Sequence, residues 1–576
     1  VVGVVGLTEN ARYSKAAGAG GTAGLAFALT GWGADDGRAT DTRNERRTRA
    51  VADSVVTTTD ELESTFENLS PGETILITAK NAPYRTTGWL DIDVDDVTVV
   101  GPGVRTLIKP AADANAGGFR VGHHRHCSNV TIRGIGFDGN PDEQSVFTKL
   151  CHGIVVKDAE TVTIARNYVT RTHPYHEHST GGSGISVEPA SRNVRIVGNR
   201  IHDIGDRGIQ VGGTRVVVSG NVLTNGLDRS ISCDVWRKGR HRQGKNVAVV
   251  GNVMGNNPEG SLVGIGGDDL TDGGGDVVIA DNLGFGHHKS FCHLGFGGTV
   301  RDVRIDGNVS LQERRDDFSG ISLDIDRADH ITAVDNDLYG YGGRGINVAD
   351  GISDFVIARN RIRNVASDGI RIAGSEDGLV ARNTISDAGR TGIILENARF
   401  VTVEGNRLRD LERVGILSAG GETNHEISDN HVRGFAAGEG HEAGLLIRST
   451  GNIVRCNRIY RSGAPAIVEG DGGTDNYYDG NWSDVRNPWH IGSAKSMVRD
   501  HTPAFDVHRG VSVDGSGRAT VEFEKPYAHR PKFSFGRVGG GIRGVIYRTT
   551  ADGHFDAVRL TVNEPNSKLD LFVESV

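Results

Sequence analysis

Two short turns, "GDR" at 205–207 and "LDR" at 227–229, carry the same Asp–Arg pair 22 residues apart. If the chain repeats on that period, Asp206 and Asp228 stand one rung apart with Arg207 and Arg229 stacked beside them. Carboxylates about 5 Å apart raise the pKa of one of the two and suit acid/base work on a glycosidic bond. The plainer reading of such pairs is a salt bridge that keeps a turn soluble. An elimination beside a uronate carboxylate would instead draw its base and charge stabiliser from His176, His178, Arg207, Arg229, Lys238 and His288.

Other chemistry-bearing groups lie in turns with the same spacing. "THPYHEHSTGG" at 172–182 carries His176 and His178, "NNPEG" carries Glu259, "GHHKS" carries His287, His288 and Lys289, and "ERRDD" carries Arg314 and Arg315. The insert "CDVWRKGRHRQGK" at 233–245 adds Trp236, Arg237, Lys238 and Arg240, an aromatic face among cations that suits a sugar ring bearing carboxylate or sulfate. Candidate metal ligands are Glu188, Asp234 and, in the acidic "GGDDLTDGGGD" at 266–276, Asp268 and Asp269. A calcium ion needs six or so oxygens, which no compact run supplies, so calcium stays open and no metal site is assigned. No phosphate-binding loop, serine nucleophile elbow or HExxH motif is present.

The elements that must position these turns are written in a repeat. Short β-branched segments such as "VTIAR", "VRIVG", "VVVSG", "VAVVG" and "VTVEG" are too short and too β-branched for helices. An Asn follows each, at Asn140, Asn167, Asn199, Asn221, Asn252, Asn282, Asn308, Asn336, Asn360, Asn383, Asn406 and Asn430, in steps of 22 to 32 residues. About ten residues later a "GI" pair recurs, at Ile185, Ile209, Ile321, Ile346, Ile370, Ile393 and Ile416. A near-constant minimum with longer excursions describes a coil of fixed cross-section carrying variable loops. The pattern predicts a solenoid of parallel strands about 4.8 Å apart, Val and Ile stacked inside, Asn laddered at one corner where left-handed backbone is tolerated, and Gly205, Gly208, Gly369, Gly392 and Gly415 relieving the backbone in or beside the next turn.

The helix and "PGETI" opening, the "VTVVGPGVRTLIKP" first coil and the "VTIxxN…GI" units resemble the right-handed parallel β-helix proteins of the pectin-lyase-like superfamily. That resemblance implies an all-β fold and an activity among polysaccharide lyases, hydrolases, epimerases and phage tailspikes. The expected organisation is a signal-like or disordered segment at 1–53, a β-helix at 54–482 opened by a helix with Leu62 and Phe66 on one face, a linker at 483–508, and an antiparallel β-sandwich at 509–576. Such a terminal domain trimerises chains or binds glycans in tailspikes and carbohydrate-active enzymes; here it could also simply cap the open sheet edge.

Composition narrows the partner. With 73 Asp and Glu against 64 Lys and Arg, the net charge of −9 gives no general attraction to nucleic acid or anionic lipid. Only 12 of the basic residues are Lys, a bias that with abundant Asp and Gly resembles proteins of extreme halophiles. No window reaches the ~20 apolar residues of a membrane span. Five widely spaced Cys encode neither a disulfide framework nor a zinc knot. The reading that follows is an extracellular or cell-surface lyase or hydrolase of an extended acidic polysaccharide. The alternatives are a non-catalytic, virion-associated, trimeric spike that binds a glycan or receptor, and a surface structural protein.

Overall fold

In residues 192–213, Arg192–Val197 forms one strand, Arg200–Ile204 a second and Ile209–Val211 a third. Alternation points Val194, Ile196, Ile201, Ile204, Ile209 and Val211 inward, where all are buried. Because each coil repeats this pattern, every strand finds its partners one coil below and one above. Val194 pairs in parallel with Val162 and Val216, and Ile209 with Ile185 and Ile231. In the computed structural model the first two strands of each coil join a 32-stranded sheet and the third a 16-stranded sheet. Together they wind a right-handed parallel β-helix around a continuous apolar core that runs from Val56 to Tyr478. The structure describes residues 48–576 except 146–150, 173–181, 238–239, 267–274, 296–298, 313–316, 326, 436–442, 461–463, 486–487, 492, 494, 500–505, 528–531, 536–541, 551–554, 563–567 and 575–576.

The Asn corner is a buried ladder. Asn199 donates from its backbone N–H (2.8 Å) and its side-chain Nδ2 (3.0 Å) to Oδ1 of Asn221, and Nδ2 also reaches the carbonyl of Ile164 at 2.9 Å. The same bonds run from Asn167 to Asn481. Two expectations change here. Asn140 stands outside the ladder: it precedes the 3₁₀ turn Pro141–Glu143 and bonds the Pro110 carbonyl, while Ile135 N–H meets Asn167. Left-handed backbone falls one residue before the ladder Asn, at Gly198 (φ 65°), Gly220 (φ 61°) and Arg359 (φ 57°). The Asn must turn its amide inward, so the outward-facing residue before it takes the strained conformation.

The "GI" glycines answer to stacking rather than to turn strain. A Cβ on Gly208 would lie 2.6 Å from the Ser230 carbonyl and 2.7 Å from Leu223, and one on Gly392 would lie 2.6 Å from the Gly415 carbonyl.

At the start, Thr58 and Glu61 form a reciprocal capping box on the helix Thr59–Glu67, which buries Leu62 and Phe66 over the first coil. Phe66 meets Phe119 with ring centres 5.7 Å apart. At the far end the rungs continue beyond 482: Trp489–His490 pairs with Ile467–Glu469, and Met497–Arg499 with Tyr477–Asp479. Part of the stretch expected as a linker therefore carries the last coil. Two three-stranded antiparallel sheets follow between Asp506 and Glu574, sharing an apolar cluster of Val511, Val513, Val521, Val558 and Leu560. Of the expected 1–53 segment, residues 1–47 lie outside the described residues. Among the described residues no helix is long and apolar enough to cross a membrane.

Candidate functional site

The turns between the second and third strands of successive coils stack directly. Asp228 N–H donates to the Asp206 carbonyl at 3.1 Å, and Lys289 N–H to the Gly260 carbonyl at 3.4 Å. The 256–260 turn presses so closely on the coil below that a Cβ at Gly260 would overlap the Asp228 carbonyl. Asp206, Asp228, Glu259 and Lys289 thus lie in one longitudinal stripe, Glu259 exposed and Lys289 partly so.

Charge at this stripe is unevenly shared. Arg207 donates from Nε to Asp228 at 3.3 Å. Burial pushes the Asp206 carboxyl up to about 6 against the pull of Arg207 and Arg229, with the Asp228 charge adding to the rise. Burial works against the Arg207 charge, yet Asp206, Asp234 and Asp228 hold its guanidinium above the ordinary value. One rung therefore offers a carboxyl that holds its proton up to about pH 6, and the next a carboxyl group hydrogen-bonded by an arginine.

Arg229 instead lies buried against the outer face of the smaller sheet. It is 5% exposed and reaches Ser232 at 3.2 Å and the fully buried Asp234 at 3.3 Å. Room for it comes from the following coil, where a Cβ on Gly264 would sit 2.5 Å from Arg229 Cδ and one on Gly266 2.9 Å from the Asp234 carboxyl carbon. Register continues this outward row from Ser232 through Gly264 to His293. Burial, then Arg229 and Lys289, push the His293 imidazole down to about 4, so it is neutral near pH 7. Ser232, Gly264 and His293 were not anticipated. At the register position of the "GI" pair these strands carry Ser230–Ile231, Leu262–Val263 and Phe291–Cys292, so only the register with Ile209 and Ile321 could have marked them.

Several expected residues stand elsewhere. His287 was expected to bind substrate but is fully buried, 3.1 Å from the Tyr341 hydroxyl, with its imidazole pushed down to about 3 by burial. It fills the coil interior, so it cannot line a groove. Its neighbour His288 is half-buried with its ring 5.6 Å from that of Phe318. Trp236, Arg237 and Arg240 belong to an antiparallel hairpin in which Trp236 pairs with His241 and Arg237 with Arg240. His176, His178, Lys238, Asp268, Asp269, Arg314 and Arg315 lie outside the described residues. Glu188 is buried beside the third strand of its coil, and Asp234 is taken up by Arg229 and Ser232. Among the described residues no three His, Cys, Asp or Glu side chains gather to hold a metal ion. Cys127, Cys151, Cys233 and Cys292 are buried free thiols, and Cys456 is free and exposed.

Similarity to other proteins points the same way as the coil geometry. A family model described as the right handed beta helix region matches residues 113–283 and 291–459. Solved structures of related shape include a mutant tailspike protein of E. coli bacteriophage HK620 in complex with a hexasaccharide, at 11% identity, covering 90% of this chain and 88% of that one, with a TM-score of 0.46. The HK620 tailspike in complex with a pentasaccharide matches at 12% identity over 90% and 88% with a TM-score of 0.43. The Dettilon tailspike protein matches at 13% over 89% of each chain with a TM-score of 0.31. At these values the likeness carries no argument about the site. No curated protein matches significantly. With more than half of its length matched and every rung in parallel register, the chain belongs to the right-handed β-helix family of the pectin-lyase-like superfamily.

Proposed function

We propose that the chain cleaves an extended acidic polysaccharide by acid/base hydrolysis at Asp206 and Asp228. The observation that carries this reading is the stack itself: two carboxyl groups one rung apart, one raised by burial and one held by Arg207. The raised carboxyl supplies the proton to the leaving glycosidic oxygen, and the one held by Arg207 serves as nucleophile or as the base that activates water. Further polar side chains recur at about 4.8 Å along the stripe, a spacing that gives a polymer successive subsites. The basic hairpin at 234–243 adds cations for carboxylate or sulfate groups. A place outside the cell, on a cell surface or on a virion belongs to the same proposal, as does a trimer built through residues 509–576.

The test is incubation of the full chain with acidic polysaccharides while new reducing ends are counted. Asp206→Asn and Asp228→Asn are each expected to slow release by about 100-fold or more while polymer retention in an affinity gel persists. Polymer that binds and stays intact overturns hydrolysis in favour of a binding spike.

A further inference from the structure

Beside the carboxyl stripe, an ion pair is buried against the outer face of the smaller sheet. Arg229 ends the turn that carries Asp228, and its carbonyl accepts from Gly208 N–H at 2.9 Å, which places it on the rung next to the Asp206 turn. Its guanidinium reaches Ser232 Oγ and Asp234 Oδ1, and the Ser232 hydroxyl donates to the same Asp234 oxygen at 2.5 Å. Ser232 and Asp234 are both fully buried. Asp234 is also the first residue of the strand Asp234–Arg237, so the pair ties the root of the basic hairpin to the acidic turn.

Stability does not account for such a pair. The desolvation of two buried charges offsets most of their attraction, and apolar residues of similar volume hold a buried site as well or better. The next coil is nevertheless cut to receive it. Ser232 and His293 carry side chains in the row where Gly264 has none, and a Cβ on Gly264 would lie 2.5 Å from Arg229 Cδ and 2.6 Å from its Nε. Gly266 gives Asp234 the same clearance. A positive charge is thereby fixed one rung from Asp206, in a place where salt and water screen it little.

We infer that Arg229, anchored by Asp234, is a positioning residue that fixes the pH range over which Asp206 keeps its proton, a role in catalysis that rests on the acid/base reading above. Burial raises the Asp206 carboxyl, Arg207 lowers it, the Asp228 charge raises it and Arg229 lowers it. Asp234 offsets part of the charge on both arginines, through its contact with Arg229 and its attraction for Arg207. The other groups facing the pair are the Cys233 thiol and His293, with Lys289 and Asp324 beyond it. Burial pushes the thiol up to about 12, and burial and then Arg229 push the imidazole down to about 4, so neither changes charge near pH 6.

The two members of the pair therefore act on Asp206 with opposite sign. Without Arg229, a charge that favours the carboxylate is gone and the proton is held to higher pH. Without the Asp234 charge, Arg229 and Arg207 act in full and the proton leaves at lower pH. Loosened packing would instead admit water and lower the carboxyl in both cases.

The test is a pH titration of the full chain with its aspartate carboxyl carbons labelled with carbon-13, the Asp206 resonance being the one lost in Asp206→Asn. Arg229→Gln is expected to raise the midpoint by about half a pH unit or more, and Asp234→Asn to lower it by about as much. Arg229→Lys, which keeps the charge, is expected to return most of the Arg229→Gln shift. Midpoints that stay where they are, or that move in the same direction in both variants, overturn the inference. Where Arg229→Gln does not fold by far-ultraviolet circular dichroism, Asp234→Asn decides alone, since its amide oxygen still accepts from Arg229 and Ser232, and an unmoved or raised midpoint overturns the inference. Opposed midpoints with no reducing ends from any polymer sink hydrolysis and leave this charge device standing. Reducing ends that depend on Asp206, with midpoints unmoved in both variants, do the reverse.

Discussion

At the scale of single residues, the most telling feature is a carboxyl group that burial holds at about 6. If Asp206 is the proton donor, hydrolysis needs it protonated, so the rate falls as pH rises through about 6, and a pH–rate profile of reducing-end release should show that basic limb. Asp206→Asn should abolish the limb with the rate. The same shift bears on stability with a fixed sign: a carboxyl raised on folding favours the native state at low pH, and that contribution is lost as pH climbs from about 4 towards 6. The Asp–Arg pairs were legible because the same dipeptide recurs at the coil period. Which member of His287 and His288 faces the core was not, since two adjacent residues on a strand-like path point to opposite sides and only the phase of the coil decides between them. His293 was hidden for a related reason: its strand keeps the inward apolar residues, Cys292 and Leu294, but not the glycine–isoleucine signature.

At the scale of elements, the Asn ladder is the part on which stacking depends most. Asn308 N–H and Nδ2 donate to Asn336 at 3.1 and 2.9 Å, Nδ2 reaches the Ile279 carbonyl, and its own Oδ1 accepts two bonds from Asn282. Asn308→Ala keeps the backbone donor but leaves the Ile279 carbonyl and the Asn282 N–H and Nδ2 without their partner in a dry corner, at about 1–3 kcal/mol for each one left unsatisfied. Urea denaturation should show a loss of at least about 2 kcal/mol, against a change within about 0.5 kcal/mol for an exposed substitution such as Glu259→Gln. The ladder was readable because a buried amide must be repeated to be satisfied. Its ends were less so: Asn140 shares the spacing but not the environment, whereas Asn457 and Asn481 carry the bonds onward. Spacing alone does not distinguish a ladder position from a loop position that falls near the same period.

At the scale of the whole molecule, burial disfavours the charge on three imidazoles, His287 and His425 sealed inside and His293 half-buried on an outward row. Burial pushes His287 down to about 3, His293 to about 4 and His425 to about 4, with cations near His293 adding to the shift. Unfolded, each would take a proton near 6.5, so the unfolded chain binds more protons and stability falls as pH drops below about 6.5 towards 4. Chemical denaturation at pH 7 and pH 4.5 should differ by more than about 2 kcal/mol in that direction, with part of the loss removed by His425→Gln. The sequence by itself determined the fold class and the coil period, because a solenoid core needs the same apolar residues at the same phase in every turn and therefore has to write them repeatedly. Only the tertiary structure decided which side chains meet. The meeting of Arg229 with Asp234 over Gly264, and of Tyr168 with His202, depends on the phase of each strand and on loops of unequal length between coils, and those distances between rungs are not carried by any local pattern of residues.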